Sequence, residues 1–134
     1  YGLSVCDILK ISDNEIQWFS GKEDYTEGIH MLQQTYQIPL ILLSMGRDGS
    51  RAYYKDMLVE VPAFLQKNTI ETTGAGDTFG ACCLHHILKY GLDNLTKQQL
   101  KEMLTFANAA ASIITTRKGA LRVMPSLEEI QRLL

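Results

Sequence analysis

The sequence predicts an α/β domain, and three observations carry that expectation. Two short apolar runs bounded by turn residues, VCDILKI at 5–11 and LILLS at 40–44, read as buried strands. Between and after them lie segments whose apolar residues recur at helical spacing, and strands alternating with helices build a sheet covered on both faces. The third is the bend ETTGAGDTFGA at 71–81, where small residues run straight into an apolar helical stripe.

Each element follows from local chemistry. After the 5–11 strand, Ser12 or Asp13 caps a short helix with Ile16 and Phe19 on one face, and Gly21 stops it. A second helix over about 24–36 places Ile29, Leu32 and Tyr36 together, and Pro39 closes that region. LILLS is unbroken in apolar character, as a parallel strand covered on both sides requires. MGRDG supplies a turn at Gly46 and Gly49, and 50–61 reads as a hairpin bending at Lys55-Asp56. A helix over about 76–90 lines up Phe79, Cys83, Ile87 and Tyr90, with Gly91 beyond its end. Thr96 caps a helix to about 116 whose inward face is Leu100, Leu104, Ala107, Ala111 and Ile114. Its ANAAAS centre allows close packing. Pro125, Ser126 and Glu129 begin a terminal helix with a capping box.

The 134 residues are 46% apolar and 21% charged with a formal net charge of −2, the balance of one globular domain. Its slight acidity and lack of a basic run beyond TRKGALR exclude a broad nucleic-acid footprint. No apolar run reaches membrane-spanning length and no leader pattern is visible. Cys6, Cys82 and Cys83 have no metal-ligand spacing and read as small hydrophobes in a reducing cytoplasm. The opening YGLSVCDILKIS lacks an initiator Met and enters a strand at once, so the chain is expected to be the later part of a larger protein.

Why, then, does Asp77 follow the Gly74-Ala75-Gly76 bend? Unpaired amides and the positive end of a helix dipole attract anions. Asp77 is either an early-helix residue satisfying those donors, or a proton acceptor beside an anion hole, which is what phosphoryl transfer to an alcohol needs. A Walker-type loop would need Lys then Ser or Thr where Asp77-Thr78 stands. A dinucleotide fingerprint would need glycine at Phe79 and a strand where QKNTIETT stands.

With TTGAGDTF in view, the sequence resembles the PfkB (ribokinase-like) carbohydrate kinase family, and within it the bacterial fructokinases. Thr72, Gly74, Ala75, Gly76 and Asp77 match the family's DTxGAGD signature. DILKISDNEIQWFSG is similar to its N-x-x-E segment, LLSMGRDGS to its nucleotide turn, and FANAAASIITTRKGA to its adenine-side helix and loop, all in the same order. The resemblance implies a three-layer α/β/α sandwich with a mostly parallel sheet. It also implies ATP-dependent phosphorylation of a sugar hydroxyl, fructose first, with other sugars or nucleosides as alternatives.

The implied roles fall on named residues. Asp77 resembles the catalytic base, and Gly74, Ala75 and Gly76 the anion hole. Ser44, Gly46 and Gly49 resemble the nucleotide turn, Asn108 the adenine pocket, and Asn14 the Asn near the phosphates and Mg²⁺. Glu71 and Thr73, with carbonyls of Ile114, Arg117 and Gly119, resemble a monovalent-cation site taking K⁺. Three positions depart: Glu71 stands for Asp, Gln17 for the Glu of N-x-x-E, and Val123 for a hydroxyl residue. The sugar-binding residues and the lid that carries family dimers belong to an N-terminal half outside this chain, so the fragment alone is expected to be inactive.

Among the remaining side chains, Arg47 and Arg51 are weighed between phosphate contact and solvation. His30, His85 and His86 read as helix polar residues, Trp18 and Phe19 as core, and Lys118 as a loop residue. Tyr53 and Tyr54 are expected on the nucleotide side of the sheet. Two readings compete with the kinase: a nucleotide-binding regulatory or pseudokinase module, and a dinucleotide-dependent oxidoreductase.

Overall fold

The computed structural model describes residues Tyr1–Leu134. A 3₁₀ turn at Gly2–Val5 precedes β1 (Ile8–Ser12), so the first strand begins later than the apolar run suggests. Then come α1 (Asp13–Ser20), α2 (Tyr25–Tyr36), β2 (Leu40–Ser44) and the hairpin β3 (Ser50–Tyr54) with β4 (Met57–Val61). The chain ends with α3 (Ala75–Tyr90), α4 (Lys97–Ile114) and α5 (Leu127–Leu133).

The sheet order is β1-β2-β3-β4. β1 and β2 pair in parallel, with Lys10 opposite Leu42 and Ser12 opposite Ser44. β3 runs against β2 and β4 against β3, so β1, β2 and β4 share one direction. Alternation along the strands divides two cores. Leu40, Leu42, Ala52, Tyr54 and Val59 face α3 and α4, meeting Phe79, Cys83, Leu100 and Leu104. Ile11, Ile41, Leu43 and Tyr53 face α1 and α2, meeting Ile16, Ile29 and Leu32. Two helix layers about one sheet give the three-layer arrangement. β2 is covered on both faces, so truncating Leu42 to Ala would cost about 2–5 kcal/mol.

The helix ends are set as their sequences dictate. Ser12 with Glu15, Thr96 with Gln99 and Ser126 with Glu129 each close a reciprocal capping box. Gly21 takes the left-handed conformation that ends α1.

Two aromatic expectations fail. Trp18 is 84% exposed and Phe19 43% exposed, because Ile16 alone on α1 turns fully into the core and the indole stacks edge-on to Phe19 outside it. Tyr53 and Tyr54 alternate onto opposite cores, and the Tyr54 hydroxyl donates to Leu92 O at 2.5 Å, far from any nucleotide role. Cys83 is buried as expected, whereas Cys6 and Cys82 are half-buried.

Candidate active site

At the carboxyl end of β2 lies a cavity of about 300 Å³. Its floor is the turn after β2, contributing Ser44, Gly46, Arg47 and Gly49. The first turn of α3 contributes Ala75 and Gly76, and α4 contributes Asn108, Ala111, Ser112 and Thr115. Five of the nucleotide-side and anion-hole positions expected from the sequence, together with Asn108, therefore line one space.

The turn is held by Met45 N–H on Gly49 O and Gly49 N–H on Gly46 O. Gly49 has φ +99, and a Cβ there would stand 2.2 Å from Val61 O, so only glycine fits. Asn108 is buried, and its Nδ2 donates to Val61 O and Pro62 O at 3.2 and 3.1 Å. Its amide thus ties the exit of β4 to α4, and its role in the pocket is to fix a wall.

The segment between β4 and α3 is a wall the sequence did not announce. Ala63, Phe64, Leu65, Gln66, Thr69 and Thr72 all face the cavity. Ile70 and Glu71 N–H groups donate to Thr115 O, and Gln66 Nε2 donates to Ser112 Oγ, which anchors this irregular stretch on α4. No periodicity marks such a segment, since it is held by tertiary bonds rather than by its own pattern.

Gly74 caps α3 at φ +80, and a Cβ there would lie 3.1 Å from that of Ala120. Thr78 N–H returns to Gly74 O and Ala75 N–H to Thr72 O. The Ala75 amide is therefore committed within the loop, contrary to the expected Gly74–Ala75–Gly76 set. The amides of Gly74, Gly76 and Asp77 have no acceptor in the chain. Asp77 is exposed on the same turn and makes neither a hydrogen bond nor an ion pair. A free carboxylate beside free amides at a helix N-terminus is arranged to take a proton while an anion is gripped.

Other expected residues sit elsewhere. Asn14 is exposed in the first turn of α1, and its N–H is taken by Asp13 Oδ1. Gln17 donates to Glu23 O, which turns its amide toward the α1–α2 connection. The acid of this region is Glu15, whose carboxylate closes the α1 capping box. The Ser12 N–H and hydroxyl, and then the Lys10 charge, hold it below the ordinary 4.5. Arg51 is paired with Glu60 at 2.6 Å on the far face of the hairpin, so only Arg47 is free to meet phosphate.

The expected cation ligands converge behind the bend but are partly spent. Glu71 Oε1 accepts Gly119 N–H at 2.7 Å, and Ile114 O accepts Arg117 N–H. The Arg117 side chain donates to Val123 O and pairs with Glu129, and Thr73 is exposed. The Glu71 side chain thus links the approach to α3 directly to the loop after α4. No group of three or more His, Cys, Asp or Glu could hold a metal ion, and His86 instead packs on Phe106 with its Nδ1 at Cys82 O. No helix is long and apolar enough to cross a membrane.

Comparison with known proteins identifies the family and the fold. Residues 2–127 match the family model described as pfkB family carbohydrate kinase. The chain is 32% identical to Fructokinase-1 of Zea mays over 128 residues, covering 96% of this chain and 39% of that protein. It is 33% identical to Fructokinase of Klebsiella pneumoniae over 131 residues, covering 97% of this chain and 42% of that protein. Fructokinase from Vibrio cholerae O395, solved with fructose, ADP and calcium, superposes with a TM-score of 0.86 at 26% identity, covering 99% of this chain and 42% of that one. Ribokinase of Arabidopsis thaliana, solved with ribose and ATP, gives a TM-score of 0.83 at 26% identity, covering 98% and 41%. The chain thus spans about two fifths of the length of these relatives, and its fold is ribokinase-like.

Proposed function

This chain belongs to the pfkB family of carbohydrate kinases, and from that premise we propose that it is the C-terminal portion, residues 1–134, of an enzyme that phosphorylates a sugar hydroxyl with ATP. In this reading it supplies the nucleotide cavity, the anion-holding amides and the catalytic base. The acceptor site and any dimer-forming lid belong to the N-terminal half, without which the fragment does not turn over. Fructose is the favoured acceptor because curated relatives at 32–33% identity are fructokinases.

The single observation that carries the reading is Asp77: exposed, unbonded, on the same helix turn as amides with no acceptor, and next to Gly76, which lines the cavity. Adenine and ribose lie along the turn at Gly46–Gly49 and the α4 wall. The phosphates reach the first turn of α3, with Arg47 alongside. The Gly76 and Asp77 amides hold the transferring phosphoryl group, and Asp77 accepts the proton of the attacking hydroxyl. The acceptor O–P bond forms as the bond from the γ-phosphorus to the bridging oxygen breaks. ADP leaves with that electron pair, and the proton passes from Asp77 to water. Mg²⁺ would arrive bound to ATP rather than held by a cluster of this chain's acidic residues, and would supply neutralisation of phosphate charge.

Turnover of the intact protein with ATP across a sugar panel tests this. Asp77→Asn keeps the shape and removes the base, so kcat is expected to fall by about 10²–10⁴-fold with the KM for ATP little changed. A variant with wild-type kcat would remove Asp77 from the mechanism.

A further inference from the structure

Resting on the kinase reading above, we infer that Gln66 is a specificity-determining residue. Its side-chain amide, held in one sense by Ser112, selects a nucleotide carrying a 6-aminopurine over one carrying a 6-oxopurine.

Gln66 stands on the irregular segment between β4 and α3, and both it and Ser112 line the nucleotide cavity. The two side chains meet at 3.2 Å, Gln66 Nε2 to Ser112 Oγ. An amide free to turn over would suit a hydroxyl either way, because a hydroxyl both donates and accepts. This hydroxyl removes the choice. Its one hydrogen goes to Ala109 O at 2.8 Å, so toward Gln66 the oxygen acts only as an acceptor. The amide nitrogen must therefore face Ser112, and Gln66 Oε1 is left as an acceptor with no partner in the chain. Gln66 is half-buried, and the enclosed side-chain atoms without partners are the hydroxyls of Ser50, Tyr53 and Thr78. Oε1 is thus open to a ligand.

The rest of this wall, made by α4 and residues 63–69, has its hydrogens committed. Thr115 donates its hydroxyl to Ser112 O, Thr69 to Gln66 O, and Asn108 Nδ2 donates to Val61 O and Pro62 O. The cavity's other polar side chains, Ser44, Arg47 and Thr72, stand on the turn after β2 and at the bend before α3. The one side-chain donor left on the wall is the second N–H of Gln66, beside its own oxygen.

Adenine presents a 6-amino donor next to a ring-nitrogen acceptor, the pattern that an amide oxygen and N–H complement together. Hypoxanthine and guanine carry an oxygen at that position and a hydrogen on the neighbouring N1, the reverse order. To meet them the amide would have to turn over, setting Oε1 against a Ser112 oxygen whose hydrogen is already given away. Polar groups left facing their own kind lose affinity, so two bonds, Gln66 to Ser112 and Ser112 to Ala109, make the discrimination.

The test measures the affinities of the intact protein for ADP and inosine diphosphate by titration calorimetry, and kcat/KM with ATP and inosine triphosphate across the sugar panel. Wild type is expected to bind ADP about tenfold more tightly than inosine diphosphate, with the same preference in kcat/KM. Gln66→Met keeps the length and removes the amide. ADP is expected to weaken by about tenfold and inosine diphosphate to stay within about twofold, which brings the ratio near one. Ser112→Ala keeps Gln66 but frees its amide to turn, so the ratio is expected to fall by about threefold or more through tighter binding of inosine diphosphate. A wild-type ratio near one, a ratio preserved in either variant, or a loss shared equally by both nucleotides would overturn the role of Gln66, while wild-type turnover and the Asp77→Asn loss left the kinase reading intact. Absence of wild-type turnover on every sugar would overturn the kinase reading, and the ratio of the two diphosphate affinities would still decide Gln66.

Discussion

Glu71 Oε1 accepts the backbone N–H of Gly119 at 2.7 Å, joining the approach to α3 to the loop after α4 across 48 residues of sequence. The link stands behind the free amides and fixes the bend that presents them. Glu71→Ala removes a hydrogen bond to a charged acceptor. Since the side chain is half-exposed, the expected loss is about 1 kcal/mol in urea unfolding followed by circular dichroism. Turnover of the wild-type protein is expected to be the same in NaCl and KCl, and that of Glu71→Ala to rise with KCl as a bound cation replaces the missing link.

Gly49→Ala is expected to be the more damaging change. The new methyl would meet Val61 O at 2.2 Å from a backbone at φ +99. A loss of about 2 kcal/mol or more follows, with weakened ATP binding because the turn lines the cavity. Thermal unfolding and nucleotide titration measure the two effects.

Asn108→Ala leaves Val61 O and Pro62 O without their donor in a site where Asn108 is only 7% exposed. Burying unpaired carbonyls costs about 1–3 kcal/mol. Asn108→Asp is expected to be worse, since a carboxylate would face two carbonyl oxygens. Urea unfolding of the two variants ranks them.

Stability is expected to fall in acid through two helix caps. Bonds from the Ser126 N–H and then Arg117 hold the Glu129 carboxyl below its ordinary value of 4.5, and Ser12 does the same for Glu15. Groups depressed in the folded state contribute stability above 4.5 and lose it as pH drops through the lowered folded values. Glu129→Gln is expected to flatten part of that decline, measured by urea unfolding at a series of pH values from about 6 down to 3.

Burial pushes the Cys82 thiol from 9.0 to about 11 and raises Cys83 further. At mildly alkaline pH the folded protein carries about a hundredth of the Cys82 thiolate that an unfolded chain would. Iodoacetamide labelling read by mass spectrometry is expected to spare Cys82 and Cys83 until urea is added.

The elements that were legible in the sequence are those whose signals are local. LILLS is apolar throughout because both faces of β2 are covered, and Thr96, Ser126 and Gly91 announced helix ends through bonds made within one turn. The GAGD bend was legible because its glycines and acid are contiguous. What escaped detection was assembled across distance. The 63–72 wall is held by Thr115 and Ser112, and Lys10 reaches Gly76 from a strand 66 positions earlier. Trp18 misled because a large aromatic beside Phe19 reads as core, although only Ile16 of that short helix points inward.

The exposure of Trp18 has a practical consequence. It is the chain's only indole and already sits in water, so its emission registers little when the protein melts and shifts to shorter wavelength when another surface settles on α1. The molecule therefore carries an optical reporter tuned to docking instead of to collapse.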